Sequence, residues 1–224
     1  MIKCVMFDLD GTLLDTLSSI AYNVNKILQK HSIEPITTDE CRSFVGSGAR
    51  ILMERALKSR DAYSYEFFDR LCAEFMVEYN ANPNPLTKPY DGIEELIESL
   101  RERGVLLAVV SNKPNDAAQS SVKSFFGDSF SAVRGGVDGT PLKPDPTSPL
   151  AVASEIGVSA AECAYVGDSE IDILTGKNME AGVTVGVSWG FRDRATLLSF
   201  GADAVVDSIS ELKALLLSKV EADS

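Results

Sequence analysis

The sequence predicts an α/β protein: a mostly parallel sheet with helices on both faces, carrying an all-helical insertion after its first strand. Three observations lead there. Short apolar runs of the kind buried on both faces recur at Ile2–Phe7, Val105–Val110 and Cys163–Val166, with weaker runs at Val183–Val187 and Ala204–Val206. Helical patterns lie between them, and that alternation is the mark of a parallel sheet. From about Thr16 to Lys88 the alternation stops and only helical periodicity remains.

Each element has its own justification. Within the insertion, Ile20, Val24, Ile27 and Leu28 mark one helical face, and Tyr65, Phe68, Leu71, Phe75, Met76 and Tyr79 mark another. The proline-rich stretch 80–89 closes it as a connector. Ile93, Leu96, Ile97 and Leu100 repeat at helical spacing, with Asp91 and Glu94 as a start signal and Gly104 as a stop. Ser208 and Glu211 read as a capping box ahead of Ile209, Leu212 and Leu215.

Composition narrows the function. The chain has 224 residues, 45% apolar and 24% charged, the proportions of a globular protein with an ample core. Twenty-one basic against 33 acidic residues give a net charge of −12, the reverse of what a nucleic-acid partner selects. The first apolar run ends at Asp8, too short for a signal peptide or a membrane span, so a cytoplasmic protein with no membrane partner is expected. Cys4, Cys41, Cys72 and Cys163 form no Cys-x-x-Cys pair and read as reduced, packed thiols. A single histidine, His31, argues against zinc and reads as an exposed residue at a helix end.

The polar residues that could do chemistry cluster at strand ends. In Phe7-Asp8-Leu9-Asp10-Gly11-Thr12, residues two apart on an extended chain face one side, so Asp8 and Asp10 converge. Open parallel sheets place ligands at the carboxyl ends of their strands. Converging carboxylates repel unless a proton or a cation intervenes, and an oxygen-ligand metal such as Mg²⁺ would leave one carboxylate free to attack. The plainer reading is an Asp-Gly turn with capping aspartates. An EF-hand loop fails, because Leu13 and Ser19 stand where glycine and glutamate are needed. Three more strand ends carry suitable groups: Ser111-Asn112-Lys113 after Val110, Lys143 in a proline-rich stretch, and Gly167-Asp168 with Asp172 one helical turn on. Each alone is explained by a cap or a surface lysine; together they are not.

With Asp8-x-Asp10-Gly-Thr, Ser111, Lys143 and Gly167-Asp168-x-x-x-Asp172 in order, the chain resembles the haloacid-dehalogenase-superfamily phosphatases over essentially its whole length. Phe44 to Arg50, Met53 to Leu57, Ser111-Asn112-Lys113, Trp189 to Asp193 and Gly201-Ala202-Asp203 make it most similar to phosphoglycolate phosphatases. The resemblance implies a Rossmann-like core (1–15 and 89–224) and a helical cap (16–88). It implies Asp8 as nucleophile forming an aspartyl-phosphate and Asp10 as proton donor and acceptor. It also implies Mg²⁺ held by Asp8, the Asp10 backbone carbonyl and Asp168, with Asp172 orienting ligands. Phosphate would be held by Ser111, Asn112, Lys143, Gly11 and Thr12. Gly46, Ser47 and Gly48, with Arg50, precede a helical run and either bind a substrate carboxylate through backbone amides or form a tight helix–helix turn. The expected partner is a small phosphorylated metabolite, 2-phosphoglycolate foremost.

Rivals remain on the sequence. Gly186-Val-Ser188-Trp-Gly190 matches a serine-hydrolase elbow, but no histidine follows it. Gly46-x-Gly48 lacks the third glycine of a dinucleotide fingerprint. A β-phosphoglucomutase would want a cap histidine near Ile20, where there is none; a pyrophosphatase is the stronger enzymatic alternative. A catalytically silent binding domain would have no need of Asp8 beside Asp10.

Overall fold

Strand β1 (Cys4–Phe7) is buried at every residue, and its alternation divides the core. Val5 and Phe7 enter one apolar layer with Leu96, Leu100 and Leu212, whereas Cys4 and Met6 enter the other with Val152 and Tyr165. Such a strand needs helices on both faces, and the chain supplies them. The computed structural model describes residues 1–220.

After β1 and a tight loop comes β2 (Leu14–Asp15), then four helices: α1 (Leu17–Lys30), α2 (Thr38–Phe44), α3 (Ala49–Lys58) and α4 (Tyr65–Ala81). The chain returns through β3 (Lys88–Pro89) to α5 (Ile93–Arg101), β4 (Leu106–Pro114), α6 (Asn115–Phe126), β5 (Ala132–Gly136) and α7 (Thr147–Glu155). It ends with β6 (Cys163–Gly167), α8 (Glu170–Asn178), β7 (Val183–Val187), α9 (Arg194–Ser199), β8 (Ala204–Val206) and α10 (Ile209–Val220).

Among the described residues the main sheet has six strands in the order β5-β4-β1-β6-β7-β8, all pairs parallel. Strand order reverses at β1: the chain builds outward to β4 and β5 on one side, then to β6, β7 and β8 on the other. A crevice opens at the carboxyl end of the strand where order reverses, and β1 ends there at Phe7. The helical unit α1–α4 has its own apolar core, including Val24, Leu28, Met53, Leu57, Leu71 and Phe75, which Ala117 of α6 and Phe191 join from the sheet side. Its two connecting segments pair antiparallel, Leu14 opposite Pro89 and Asp15 opposite Lys88.

Several local expectations change. Strand β5 has no counterpart in the sequence reading: Ala132-Val-Arg-Gly-Gly has only two apolar side chains, and as an edge strand it needs no long apolar run. Strand β4 continues past Val110 to Pro114, with its register to β5 broken between those residues, so Ser111, Asn112 and Lys113 lie inside the strand's irregular end. Gly92, in the left-handed region at φ 94°, holds the N-cap of α5 in place of Asp91. Ser208 Oγ accepts from the Glu211 amide, but the Glu211 carboxylate reaches back to the Asp207 amide, so the capping box is shifted by one residue on its return bond. His31 does end α1, yet its ring is only 18% exposed and lies 3.0 Å from Glu74 Oε2. The four cysteines are free and buried, with Cys4 directly opposite Cys163 in the β1–β6 ladder.

Candidate active site

Asp8 follows β1 immediately, and its amide continues the ladder to Val166 O at 2.9 Å. The next residues turn back sharply: Leu9 O accepts from the amides of Leu13 and Leu14, both at 3.0 Å. Gly11 makes the turn with φ 88°, and a Cβ there would fall on the Asp168 carboxylate, so glycine is required twice over. Asp168 arrives from the end of β6, and Asp172 from the first turn of α8. Asp172 Oδ2 accepts from the Ser169 amide (3.0 Å) and hydroxyl (2.6 Å), which fixes the carboxylate while capping the helix.

These groups meet in one cavity beneath the helical unit, with Asp8, Asp10, Ser111, Lys143, Asp168 and Asp172 in its wall. Lys143 Nζ lies 2.8 Å from Asp8 Oδ1 and 2.7 Å from Asp172 Oδ1. Burial pulls the lysine's pKa down, but the Asp172 and Asp8 charges outweigh it and hold the ammonium well above its usual range. Burial pushes Asp8 up to about 6; Lys143 opposes the shift, and Asp172 and Asp10 add to it. Asp168 is pushed well above the carboxylate range by burial and by Asp172 and Asp8.

A cation among these carboxylates would relieve the crowding. Asp8, Asp168 and Asp172 can each offer one oxygen with all three oxygens within 4.8 Å of one another. Asp8 Oδ1 is buried without a hydrogen-bond donor, Lys143 being near it but out of alignment. Fully ionised, the four carboxyls (Asp8, Asp10, Asp168, Asp172) would face two ammoniums (Lys113, Lys143) with a surplus of two negative charges, which is why burial and mutual repulsion raise Asp8 and Asp168. An all-oxygen, buried donor set of that charge fits a hard divalent cation.

The remaining sequence candidates are placed more variously. Ser111 is buried in the cavity wall. Thr12 turns its hydroxyl to Asp168 Oδ1 at 2.9 Å, where the sequence reading had it on phosphate. Asn112 is likewise engaged: its Oδ1 accepts from the Lys143 amide (2.8 Å), and its Nδ2 donates to Lys143 O and Gly46 O, both at 3.0 Å. Both donor hydrogens are spent on backbone carbonyls, so Asn112 holds the Lys143 main chain. Gly46 and Gly48 line the cavity, and Gly48 caps α3 at φ 90°. Ser47 is half-buried outside the lining. Arg50 points away, to Asp69 at 2.9 Å and over the Phe68 ring at 4.9 Å, with its side chain 57% exposed.

Lys113, the cation named after Val110, finds its partners here, and three further contributors, Tyr79, the Phe191 amide and Arg192, have no counterpart among the sequence candidates. Lys113 Nζ, fully buried, donates to Asp10 Oδ1 at 2.9 Å and to the Tyr79 hydroxyl at 2.6 Å. Tyr79 carries the helical period of an apolar face, and its hydroxyl role leaves no separate trace in the sequence. The Phe191 amide donates to Asp168 Oδ2 at 2.7 Å. Arg192 donates to Arg42 O (3.0 Å) and Val45 O (3.4 Å), while Arg42 donates to Gly190 O (3.0 Å), a reciprocal stitch between the two units.

Comparison with known proteins decides the family. A profile of the haloacid dehalogenase-like hydrolases matches residues 5–186. The chain belongs to the haloacid dehalogenase-like hydrolases. Within that family of hydrolases it is similar to the phosphoglycolate phosphatase of Xanthomonas campestris pv. campestris, 34% identical over 94% of each chain. It is 32% identical to the phosphoglycolate phosphatase of Psychrobacter arcticus over 99% of each. A solved structure from Lactobacillus delbrueckii subsp. bulgaricus, provisionally assigned as a phosphoglycolate phosphatase, superposes with a TM-score of 0.89 at 32% identity, covering 96% of this chain and 98% of that one. The haloacid dehalogenase-like sheet and its helical insertion are therefore shared along nearly the full length.

Proposed function

We propose that this hydrolase is a Mg²⁺-dependent phosphatase of small phosphate monoesters, with 2-phosphoglycolate as favoured substrate. The observation that carries the reading is the convergence of Asp8, Asp168 and Asp172, the first and last of them paired with Lys143, beside Asp10 and Ser111 in one buried cavity. Relatives named phosphoglycolate phosphatase over 94–99% of their length support the substrate.

Asp8 Oδ attacks phosphorus and the ester oxygen leaves, giving an aspartyl-phosphate. Asp10 gives the leaving oxygen a proton, then takes one from the water that cleaves the acyl phosphate. Lys143 offsets the charge of Asp8, and with Ser111 it receives the phosphoryl oxygens. Mg²⁺, held by Asp8, the Asp10 carbonyl and Asp168, would supply charge neutralisation for an anion meeting an anion. Thr12 and the Phe191 amide keep Asp168 aimed, and Asp172 keeps Lys143 in place.

The helical unit, residues 16–88, acts as a cap. Its cavity side is apolar at Ile20, Val45, Leu52 and Phe75, which suits a compact leaving group and excludes water. The amides that open α3 after Gly48 take the substrate carboxylate, without help from Arg50.

The test is phosphate release with and without Mg²⁺ from 2-phosphoglycolate, pyrophosphate, β-glucose 1-phosphate and several sugar phosphates. The reading expects Mg²⁺-dependent release, fastest from 2-phosphoglycolate. Preference for pyrophosphate, or interconversion of glucose phosphates without release, would replace it; inertness across the panel would leave a binding domain.

A further inference from the structure

Asn112 and Lys113, adjacent at the end of β4, each bond both the helical unit and a group at the reaction centre. Asn112 Nδ2 reaches Gly46 O in the helical unit while the same side chain clasps the Lys143 main chain on both its N–H and its C=O. Lys113 Nζ reaches the Tyr79 hydroxyl of α4 while it holds Asp10 Oδ1. The sheet and the helical unit are thus linked through the two residues that fix one cation and one carboxylate of the cavity.

The energetics favour more than incidental packing. A wholly buried ammonium is stable only when its donors are met and its charge is matched. Asp10 matches the charge of Lys113, but the second bond comes from another part of the fold, so the lysine's surroundings are complete only with α4 seated. Withdrawing α4 removes the Tyr79 oxygen, admits water beside Nζ and loosens the tether on Asp10. With Oδ1 held by Lys113, Oδ2 is the oxygen left to exchange a proton with the substrate. Withdrawing Gly46 likewise frees one bond of the amide that sets Lys143.

We propose that Asn112 and Lys113 are positioning residues that make Lys143 and Asp10 respond to the seating of the helical unit, so that the proton-transfer group and the phosphate-facing lysine are fixed only when the cavity is closed. This rests on the roles given above to Asp10 and Lys143.

The decisive experiment is a double-mutant cycle with hydrogen exchange on the same proteins. Tyr79→Phe keeps the ring stacked on Phe75, 5.0 Å between centroids, and removes only the hydroxyl. It is expected to lower kcat about tenfold, the scale of one hydrogen bond, with KM within about twofold. Lys113→Met should lower kcat about a hundredfold, and the double variant no further, because Tyr79 acts through Lys113. Asn112→Ala should also lower kcat about tenfold with KM nearly constant. In Tyr79→Phe the amides of Gly11, Leu13 and Leu14, in the loop that carries Asp10, should exchange several-fold faster while α5 and α10 keep wild-type protection. Multiplying effects in the cycle, or wild-type kcat and loop exchange in Tyr79→Phe, would overturn the Lys113 link; wild-type kcat in Asn112→Ala would overturn the other. If the wild-type protein releases phosphate from no ester, the phosphatase reading fails, and the exchange pattern alone decides the coupling.

Discussion

Thr12 and Asp168 stand 156 positions apart, yet the threonine hydroxyl donates to the aspartate's Oδ1 across 2.9 Å inside the protein. With the Phe191 amide on Oδ2, both oxygens of Asp168 carry a donor before any ligand arrives. The carboxylate's direction is therefore set by the fold.

Thr12→Val should uncouple that direction from the fold while keeping the shape of the side chain. Outer-sphere partners of metal ligands typically carry a 10–100-fold effect, so the Mg²⁺ concentration for half-maximal activity should rise by about that factor with little change in melting temperature. Titrating activity with Mg²⁺ measures it; an unchanged midpoint would detach Thr12 from the metal site.

Gly190→Ala is expected to be far more damaging than Gly46→Ala. A Cβ at Gly190 would overlap Asp168 and the Gly11 carbonyl, whereas one at Gly46 meets nothing within 4 Å and carries only the strain of φ 110°. The first should cost about 1–3 kcal/mol in denaturant unfolding and remove metal binding; the second should cost about 1 kcal/mol.

Stabilisation by Mg²⁺ should depend on pH with a definite sign. The folded-state pKa of Asp8 is raised from 3.8 to about 6, so its contribution to stability is complete below pH 3.8 and is lost as pH rises through about 6. The metal-free protein loses stability over that window, and a cation that favours the ionised form restores it. The rise in melting temperature on adding Mg²⁺ should be small at pH 4 and clearly larger at pH 7, and Asp168, which burial, Asp172 and Asp8 also raise, carries the increase in the same direction beyond the Asp8 window. Glu40, Glu74 and Glu162, each lowered to about 2 by partners led by Arg60, Lys30 and Lys3, contribute with the opposite sign. They are common to both samples and cancel in the difference. An equal shift at pH 4 and pH 7 would contradict this account.

Asp8→Asn should abolish turnover without lowering the melting temperature of the metal-free protein at pH 7. It removes a buried charge that burial disfavours, and Lys143 keeps Asp172 at 2.7 Å. Measurable turnover in the purified variant would exclude Asp8 as nucleophile.

Arg50→Ala should leave kcat and KM for 2-phosphoglycolate within about twofold, because the guanidinium is committed to Asp69 and lies outside the cavity wall. A KM rise of tenfold or more would mean that the side chain turns inward to meet substrate.

How much of this is legible in the sequence depends on whether a signal is local. Asp8, Asp168 and Asp172 can be found because a carboxylate at the end of a buried run, or one helical turn beyond it, is readable from neighbouring residues alone. Strand β5 is invisible because an edge strand of Ala132-Val-Arg-Gly-Gly has neither alternation nor an apolar run. The Lys113–Tyr79 bond spans 34 positions between two units, and Tyr79 shares its spacing with Phe75 and Phe68, so its hydroxyl is lost in a pattern written by packing. Thr12 and Asn112 carry donors suited to phosphate, and only three dimensions reveal that Asp168 and the Lys143 main chain have taken them. Arg50 misleads for the converse reason: its nearness in sequence to Gly48 says nothing about Asp69, on the next helix.

The pairing of Asp15 with Lys88 has a consequence for how this architecture can be altered. Departure and return of the chain lie on neighbouring strands, so a tight reverse turn could splice them and leave β1, β4 and β6 in register. A chimaera that exchanges residues 16–87 for a short turn or a foreign module should keep the parallel sheet while changing which molecules can reach Asp8.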